Sequence, residues 1–270
     1  PLNLFLQDCD ILFHCAGETT NSNVMRAVNV DGTKSLISAA LKESSHKNRK
    51  IHWVQISSCR VYGPPVGKIQ SDRTVTEKTH IRPNDEYEIT KTISDNILID
   101  ACKNNEALTY SILRPSNVVG PKMKKSTLHK FFGLMNSGLS FYVGKPGAIA
   151  TYVHVYDVVK ALILLSKDQR AVSQIYNLSN DCTMEAFIGE IAKKYEFSQP
   201  KIRLPIELIR VPNEILNILF GKYIKIPQVT ALARRTKYPT CKIEKDLNFS
   251  FVMNNICWAY MNLFVVKLSK

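Results

Sequence analysis

Tyr87 and Lys91 stand four residues apart in the stretch Asn84-Asp85-Glu86-Tyr87-Glu88-Ile89-Thr90-Lys91. In an α-helix that spacing puts both side chains on one face, one turn apart. A phenol titrates near 10, so at neutral pH it is a poor base. An ammonium one turn away favours the phenolate and moves the group toward working pH. Such a pair can pass a proton to or from a hydroxyl on carbon. Oxidation of a carbinol to a ketone needs that step beside a hydride acceptor. The spacing recurs at Tyr156/Lys160 and Tyr238/Lys242. Pro239, directly after Tyr238, argues against a helix interior there. Tyr156/Lys160 falls on an expected helix but has no serine-bearing strand end a suitable distance upstream. The first pair has one, in Ser57-Ser58.

The elements that must position the pair follow from hydrophobic periodicity. Asp10-Ile11-Leu12-Phe13-His14 reads as a short buried strand. It ends in Cys15, Ala16 and Gly17, small residues past which a backbone can approach a ligand closely. A long helix is expected over 21–42, weakened in its middle by Gly32. A second strand, 51–56, ends in Ser57-Ser58, and a loop then runs to about Asn84. The helix of the Tyr/Lys pair spans 85–103, with Ile89, Ile93, Ile97 and Ala101 as its expected buried stripe. A third strand, 108–113, ends in Arg114-Pro115-Ser116-Asn117. Beyond it lie an expected helix 125–136, strands 141–143 and 152–155, helix 158–166 and strand 175–178. Helices near 183–195, 206–220 and 251–265 close the chain. Alternating strands and helices make the class α/β with a mainly parallel, Rossmann-like sheet and a smaller C-terminal lobe. In such sheets ligands lie beyond the carboxyl ends of the strands. Ala16, Gly17, Ser58 and the stretch 115–117 all fall there.

Composition narrows the possibilities. The chain has 270 residues and a formal net charge of +13. Its basic residues cluster at 42–50, 122–130 and 234–237 without interleaved aromatic residues. They read as solvated faces with a taste for anions, not as a nucleic-acid site. The seven cysteines form no Cys-x-x-Cys pair. That suits reduced thiols in a cytoplasmic protein and argues against a zinc site or a disulfide framework, so no metal is expected. Cys15 and Cys59 read as small buried side chains. No run of 18 apolar residues occurs, and no basic n-region or cleavage site marks a signal peptide.

On these residues the chain resembles the NAD-dependent epimerase/dehydratase family of extended short-chain dehydrogenases/reductases. His14-Cys15-Ala16-Gly17 is similar to the family's fourth strand end, and Asn29-Val30-Asp31-Gly32-Thr33 to its Asn-Val-x-Gly-Thr helix. Ser58-Cys59-Arg60-Val61-Tyr62-Gly63 resembles its Ser/Thr-x-x-Val-Tyr-Gly element, and Tyr87 and Lys91 its Tyr-x-x-x-Lys pair. Leu113 to Pro121, Tyr152 to Asp157 and Lys242 to Phe249 resemble later family segments. The resemblance implies NAD or NADP as cofactor, bound by Cys15, Ala16, Gly17, Asn29, Ser57, Tyr87, Lys91 and Pro115. It implies Ser58, Tyr87 and Lys91 as catalytic residues, and Ser58, Asn117, Tyr152 and Arg235 on the substrate side. His154 reads as a packed strand histidine and Asp157 as a helix-start residue.

In its relatives the sheet opens with a strand, a Gly-x-x-Gly-x-x-Gly turn and a helix. These 270 residues contain no such turn and begin just before the fourth strand. The resemblance therefore implies an N-terminally truncated member, with strand 11–14 as an exposed edge. Residues 1–170 then form a partial NAD(P)-binding unit with substrate-lobe strands near 141–155, and 171–270 are mostly substrate lobe. Ala150 stands where nucleotide-sugar members commonly have an arginine that clamps the diphosphate. The leading implied activity is an epimerase or dehydratase of a nucleotide sugar. The alternatives are a reductase or dehydrogenase of a hydrophobic ketone or alcohol, of the hydroxysteroid or dihydroflavonol type, and a truncated non-catalytic member. The family also implies a homodimer through helices 21–42 and 85–103.

Overall fold

The structure is a computed structural model that describes residues 2–67, 70–121, 123, 133–207 and 232–252. In chain order the described elements begin with α1 (Leu2–Leu6), β1 (Ile11–His14) and α2 (Ser22–Met25). A π-helical turn (Arg26–Asp31) leads into α3 (Gly32–Lys47), β2 (Ile51–Ile56) and a 3-10 turn (Cys59–Tyr62). Next come β3 (Arg73–Thr74), α4 (Glu86–Lys103), β4 (Leu108–Pro115), β5 (Asn117–Val119), β6 (Tyr142–Val143) and β7 (Ile149–His154). The chain continues with α5 (Val155–Lys167), β8 (Gln174–Leu178), β9 (Asn180–Thr183) and α6 (Met184–Tyr195), then β10 (Arg203–Leu204), β11 (Thr236–Lys237) and α7 (Cys241–Leu247). The expected helices near 125–136, 206–220 and 251–265 fall wholly or mainly outside the described residues.

The main sheet has the order β1-β2-β4-β8, and all its pairings are parallel. Its middle strands are buried on both faces, as parallel strands between helices must be. On one face Trp53, Ile51 and Ile112 pack with Leu98 of α4 and with Ile37 and Ala40 of α3. On the other, Val54, Leu113 and Tyr176 pack with α5 through Val158, Leu162 and Leu165, and with Ile243 and Leu247 of α7. β1 pairs with β2 and borders the sheet among the described residues, leaving Ile11 and Phe13 exposed.

A second sheet, β5-β7-β9, was not legible as such in the sequence. β5 runs parallel to β7, and β9 antiparallel to it. β7 is longer than expected at its start and ends one residue early. Val155 already opens α5, because His154 caps that helix: its Nδ1 accepts from the Tyr156 backbone N–H at 3.2 Å. No helix among the described residues is long and apolar enough to cross a membrane.

β9 also holds an ionisable group with a measurable consequence. Asp181 accepts hydrogen bonds from the Ser179 hydroxyl and from the Tyr238 backbone N–H. Burial outweighs these bonds and the nearby Lys237, and pushes the carboxyl up to about 6. The folded chain then holds this proton over a range in which the unfolded chain, titrating near 3.9, has lost it. Stability from this site therefore falls as pH rises from about 4 to about 6. Urea midpoints measured at the two ends of that window should differ less in Asp181→Asn than in the parent chain. An unchanged difference would refute the assignment.

Candidate active site

α4 begins where Asp85, in an extended conformation, accepts the Glu88 backbone N–H at 3.0 Å, and Glu86 and Glu88 add negative charge to its first turn. That start places Tyr87 in the first turn and Lys91 one turn on. The buried face of α4 is largely polar: Glu88, Thr90, Lys91, Ser94 and Asp95, with Leu98. The expected stripe of Ile89, Ile93, Ile97 and Ala101 is only half-buried. Apolar periodicity therefore chose the wrong face, because here the helix buries its polar side against a hydrogen-bonded network.

Part of that network comes from the π-helical turn. Asn29 donates through Nδ2 to the Glu18 carbonyl (3.0 Å) and to Thr90 Oγ1 (3.1 Å), and its Oδ1 accepts the Glu18 N–H (2.8 Å). The loop after β1 is thus tied to α4. Thr33 and Ser94 hydroxyls meet at 2.9 Å just below. Gly17 lies in this loop; a Cβ there would stand 3.1 Å from Lys91 Nζ and 3.4 Å from Asn29 Oδ1. Glycine lets the backbone close over the ammonium. Glu18 Oε1 collects the N–H groups of Thr19, Thr20 and Asn21 and the Thr20 hydroxyl, which holds its carboxyl down at about 2. π-turns of this kind are frequent at functional sites.

The end of β2 supplies the other half. Ser57 N–H continues the ladder to the Leu113 carbonyl at 2.7 Å, and its hydroxyl donates to Asp95 Oδ2 at 2.7 Å. Ser58 is extended, and its Oγ accepts the Arg60 N–H at 3.2 Å to start the 3-10 turn. The Ser58 side chain lies close enough to the Tyr87 phenol to favour its ionised form. Lys91 Nζ donates to the Ile56 carbonyl at 3.0 Å. The turn closes at Gly63, whose positive φ of 66° suits glycine.

The electrostatics correct one expectation. Burial raises the Tyr87 phenol above its ordinary value, and the nearby Ser58 hydroxyl and the Arg60 charge oppose it only in part. The cation acting most on Tyr87 is Arg60, not Lys91, and Tyr87 is a phenol at neutral pH. Lys91 is itself lowered by burial, while Asp95 and Cys15 pull it back up. Desolvation dominates both groups because each lies mostly out of water.

Asp95 is the residue that sequence reading missed. It sits one turn beyond Lys91 and is 0% exposed. It accepts from Gln55 Nε2 (2.7 Å), from Ser57, and from Arg114 Nε and Nη2 (3.3 and 3.0 Å). Arg114 in turn donates to the Tyr62 hydroxyl at 3.1 Å, which lies 2.9 Å from Asn177 Oδ1. The i, i+4 step from Lys91 to Asp95 was the available signal.

The structure brings Cys15, Gly17, Asn29, Ser57, Ser58, Tyr87 and Lys91 together around one polar centre at the strand ends. Cys15 is exposed there, not buried as expected, because it lies past the last residue of β1. Ala16 is likewise exposed, and Pro115 is buried at the end of β4 beside Leu178. Asn117 and Tyr152 are cross-strand partners in the second sheet. Asn117 is exposed and donates to Thr151, whereas Tyr152 stacks on Phe187 at 5.2 Å and is pushed up to about 12 by burial. Arg235 pairs with Asp72 (2.7 Å) and donates to the Pro146 carbonyl. Asp157 receives the Val252 N–H at 2.6 Å in the first turn of α5. The two repeats of the spacing do structural work: Lys160 holds Ser250, and Lys242 holds Gln174 and Ile175 at the amino end of β8.

The chain is similar to several known proteins. A model described as the NAD dependent epimerase/dehydratase family matches residues 2–179. Human short-chain dehydrogenase/reductase family 42E member 1 is 26% identical over 242 residues, which cover 80% of this chain and 60% of that protein. UDP-glucose 4-epimerase of Mycoplasma genitalium is 29% identical over 215 residues, covering 68% and 60%. The chain thus spans about 60% of the length of these curated relatives. The crystal structure of UDP-glucuronic acid 4-epimerase from Bacillus cereus in complex with NAD superposes with a TM-score of 0.70 at 17% identity, covering 97% of this chain and 76% of that one. At that identity the likeness shows the Rossmann-like fold.

Proposed function

The chain belongs to the NAD-dependent epimerase/dehydratase family, and from that premise we propose that it carries the acid–base half of a hydride-transfer site for a nucleotide sugar. The observation that carries this reading is the juxtaposition of Ser58 and Tyr87, with Lys91 one turn away, at the ends of parallel strands. NAD or NADP is the cofactor that fits. Lys91 is 7% exposed and, among the described residues, its ammonium has one hydrogen-bond acceptor, the Ile56 carbonyl. An ammonium has three donors. Two remain for the hydroxyls of a ribose, in the space that the missing Gly17 side chain leaves open. When bound, the cofactor supplies the hydride-accepting nicotinamide.

The protein's own groups then divide the work. Tyr87 exchanges the proton of the substrate oxygen, and Ser58 hydrogen-bonds the same oxygen. Lys91 and the backbone of 15–17 hold the ribose, and Asn29 keeps that loop on α4. Ser57 and Pro115 shape the floor of the cofactor site. Asn117 offers an exposed amide to the substrate, beside Tyr152. Arg235 can meet a diphosphate by exchanging Asp72 for it. In this reading residues 1–170 are mainly the cofactor unit and 171–270 mainly the substrate lobe, apart from β8, which completes the main sheet, and α7, which packs on it. A homodimer through helices 21–42 and 85–103 fits the exposed Val24 and Val28 on the first of them.

One observation favours a second reading, a reductase of a hydrophobic ketone. Ala150 is buried in an apolar cluster with Met184, Phe187 and Ile188, where nucleotide-sugar relatives commonly place an arginine. The test begins with NADH titrated into the chain and followed by calorimetry. No heat at millimolar cofactor removes both enzyme readings for these 270 residues and leaves the non-catalytic one. With binding in hand, turnover of UDP-glucose and UDP-glucuronic acid is compared with reduction of a ketosteroid, each against Tyr87→Phe. Conversion of a UDP-sugar supports the first reading, and ketone reduction alone the second.

A further inference from the structure

Arg60 is given no binding or catalytic role above, yet it occupies a defined place against the acid–base tyrosine. It sits on the same 3-10 turn as Ser58 and is anchored to it by its own backbone N–H. Its guanidinium carbon lies 5.3 Å from the centre of the Tyr87 ring. Nε lies 3.2 Å from Glu88 Oε1, and Nη2 is paired with Asp85 Oδ2. Glu88 is itself fixed, since its other oxygen accepts the Asn84 N–H at 2.8 Å. Asp85 is fixed as the cap of α4. The guanidinium is therefore held over the ring by two carboxylates of the helix that carries Tyr87.

We propose that Arg60 is a positioning residue for Tyr87, a second cation beside Lys91 that stabilises the phenolate and neutralises the carboxylates at the start of α4. This inference rests on the acid–base role given to Tyr87. The charged groups acting on the phenol are Arg60 from the turn, and Asp85 and Asp95 from α4. Arg60 lowers the phenol's affinity for its proton, whereas Asp85 and Asp95 raise it. Loss of Arg60 acts twice: the favourable cation goes, and Asp85 is left without its partner. A guanidinium on an aromatic face also fixes the ring plane, and its fork geometry is not reproduced by lysine.

The test reads Tyr87 directly in the full chain. Tyrosine is replaced biosynthetically by difluorotyrosine, whose more acidic phenol titrates where the fold is intact, and the Tyr87 fluorine resonance is identified by its loss in Tyr87→Phe. Arg60→Met should move the Tyr87 titration up by at least about half a pH unit, with Arg60→Lys between it and the parent. Asp85→Asn keeps a good helix cap and should move the titration down. An unmoved or lowered titration in Arg60→Met overturns the proposal, and so does an unmoved one in Asp85→Asn should Arg60→Met fail to fold. In turnover the pH limit assigned to Tyr87 moves with the resonance. A resonance that responds to Arg60 in a chain whose turnover ignores Tyr87→Phe would refute the role of Tyr87 and leave the Arg60 coupling standing.

Discussion

Asp95→Ala is expected to cost about 3–5 kcal/mol of stability, the range found when one partner of a buried ion pair is removed. Asp95 is 0% exposed and Arg114 2% exposed, so neither charge has water to fall back on. The substitution strips acceptors from Gln55, Ser57 and both Arg114 nitrogens at once. What remains is an uncompensated guanidinium under the central strands, and that residual charge carries most of the cost. Urea denaturation of the parent chain and of Asp95→Ala checks the size. A loss below about 1 kcal/mol would mean that water or a local rearrangement satisfies Arg114, contrary to its burial. The double variant Asp95→Leu/Arg114→Met separates the stranded charge from the lost bonds. Replacing both partners by apolar groups of similar volume should recover most of the stability. It should not restore the site. Asp95 is the anion that most favours the charged form of Lys91 and the acceptor that fixes Ser57. The double variant is therefore expected to fold and to bind NADH more weakly.

This network also shows what a sequence can and cannot disclose. The four strands of the main sheet were legible because central parallel strands are buried on both faces and read as short apolar runs. The Tyr87/Lys91 pair was legible because its spacing and the preceding Ser57-Ser58 are local. The buried face of α4 was not, since periodicity rewards apolar residues while this helix turns Lys91, Ser94 and Asp95 inward. Their partners, Gln55, Ser57 and Arg114, are brought to them only by tertiary contacts. The helix expected over 21–42 runs on to Lys47. Asn48 ends it in the left-handed conformation, φ 48°, with its N–H on the Ser44 carbonyl. The polar run Ser44-Ser45-His46 hid that extension. The π-turn at 26–31 leaves no pattern of its own, yet it sets Asn29 against Thr90. β9, Asn180–Thr183, is polar and pairs with β7, some thirty residues earlier in the chain, so neither alternation nor apolarity marked it. Arg60 was visible only as one letter of a motif. Its place over Tyr87 depends on how the 3-10 turn meets the first turn of α4.

Tyr87→Phe is expected to lower kcat by a factor of about 10² to 10⁴, the usual worth of a positioned proton-transfer group. That factor corresponds to roughly 3–5 kcal/mol of barrier. The change removes one oxygen and leaves the ring under Arg60, so the fold and the cofactor affinity should be nearly those of the parent. Lys91→Met should behave differently. It removes the buried ammonium that donates to the Ile56 carbonyl, and both NADH affinity and turnover should fall. The split between the two variants separates a group that acts on the substrate oxygen from one that also holds the cofactor. The pH dependence carries a sign. Burial holds Tyr87 above its ordinary value in the free chain. In the oxidising direction the residue must accept a proton, so kcat/KM should rise with pH through the upper end of the accessible range. In the reducing direction the protonated phenol is the competent form, and the same group should give a fall instead. A rate that is flat in both directions, or a Tyr87→Phe variant within a factor of about three of the parent, would place the proton transfer on another group.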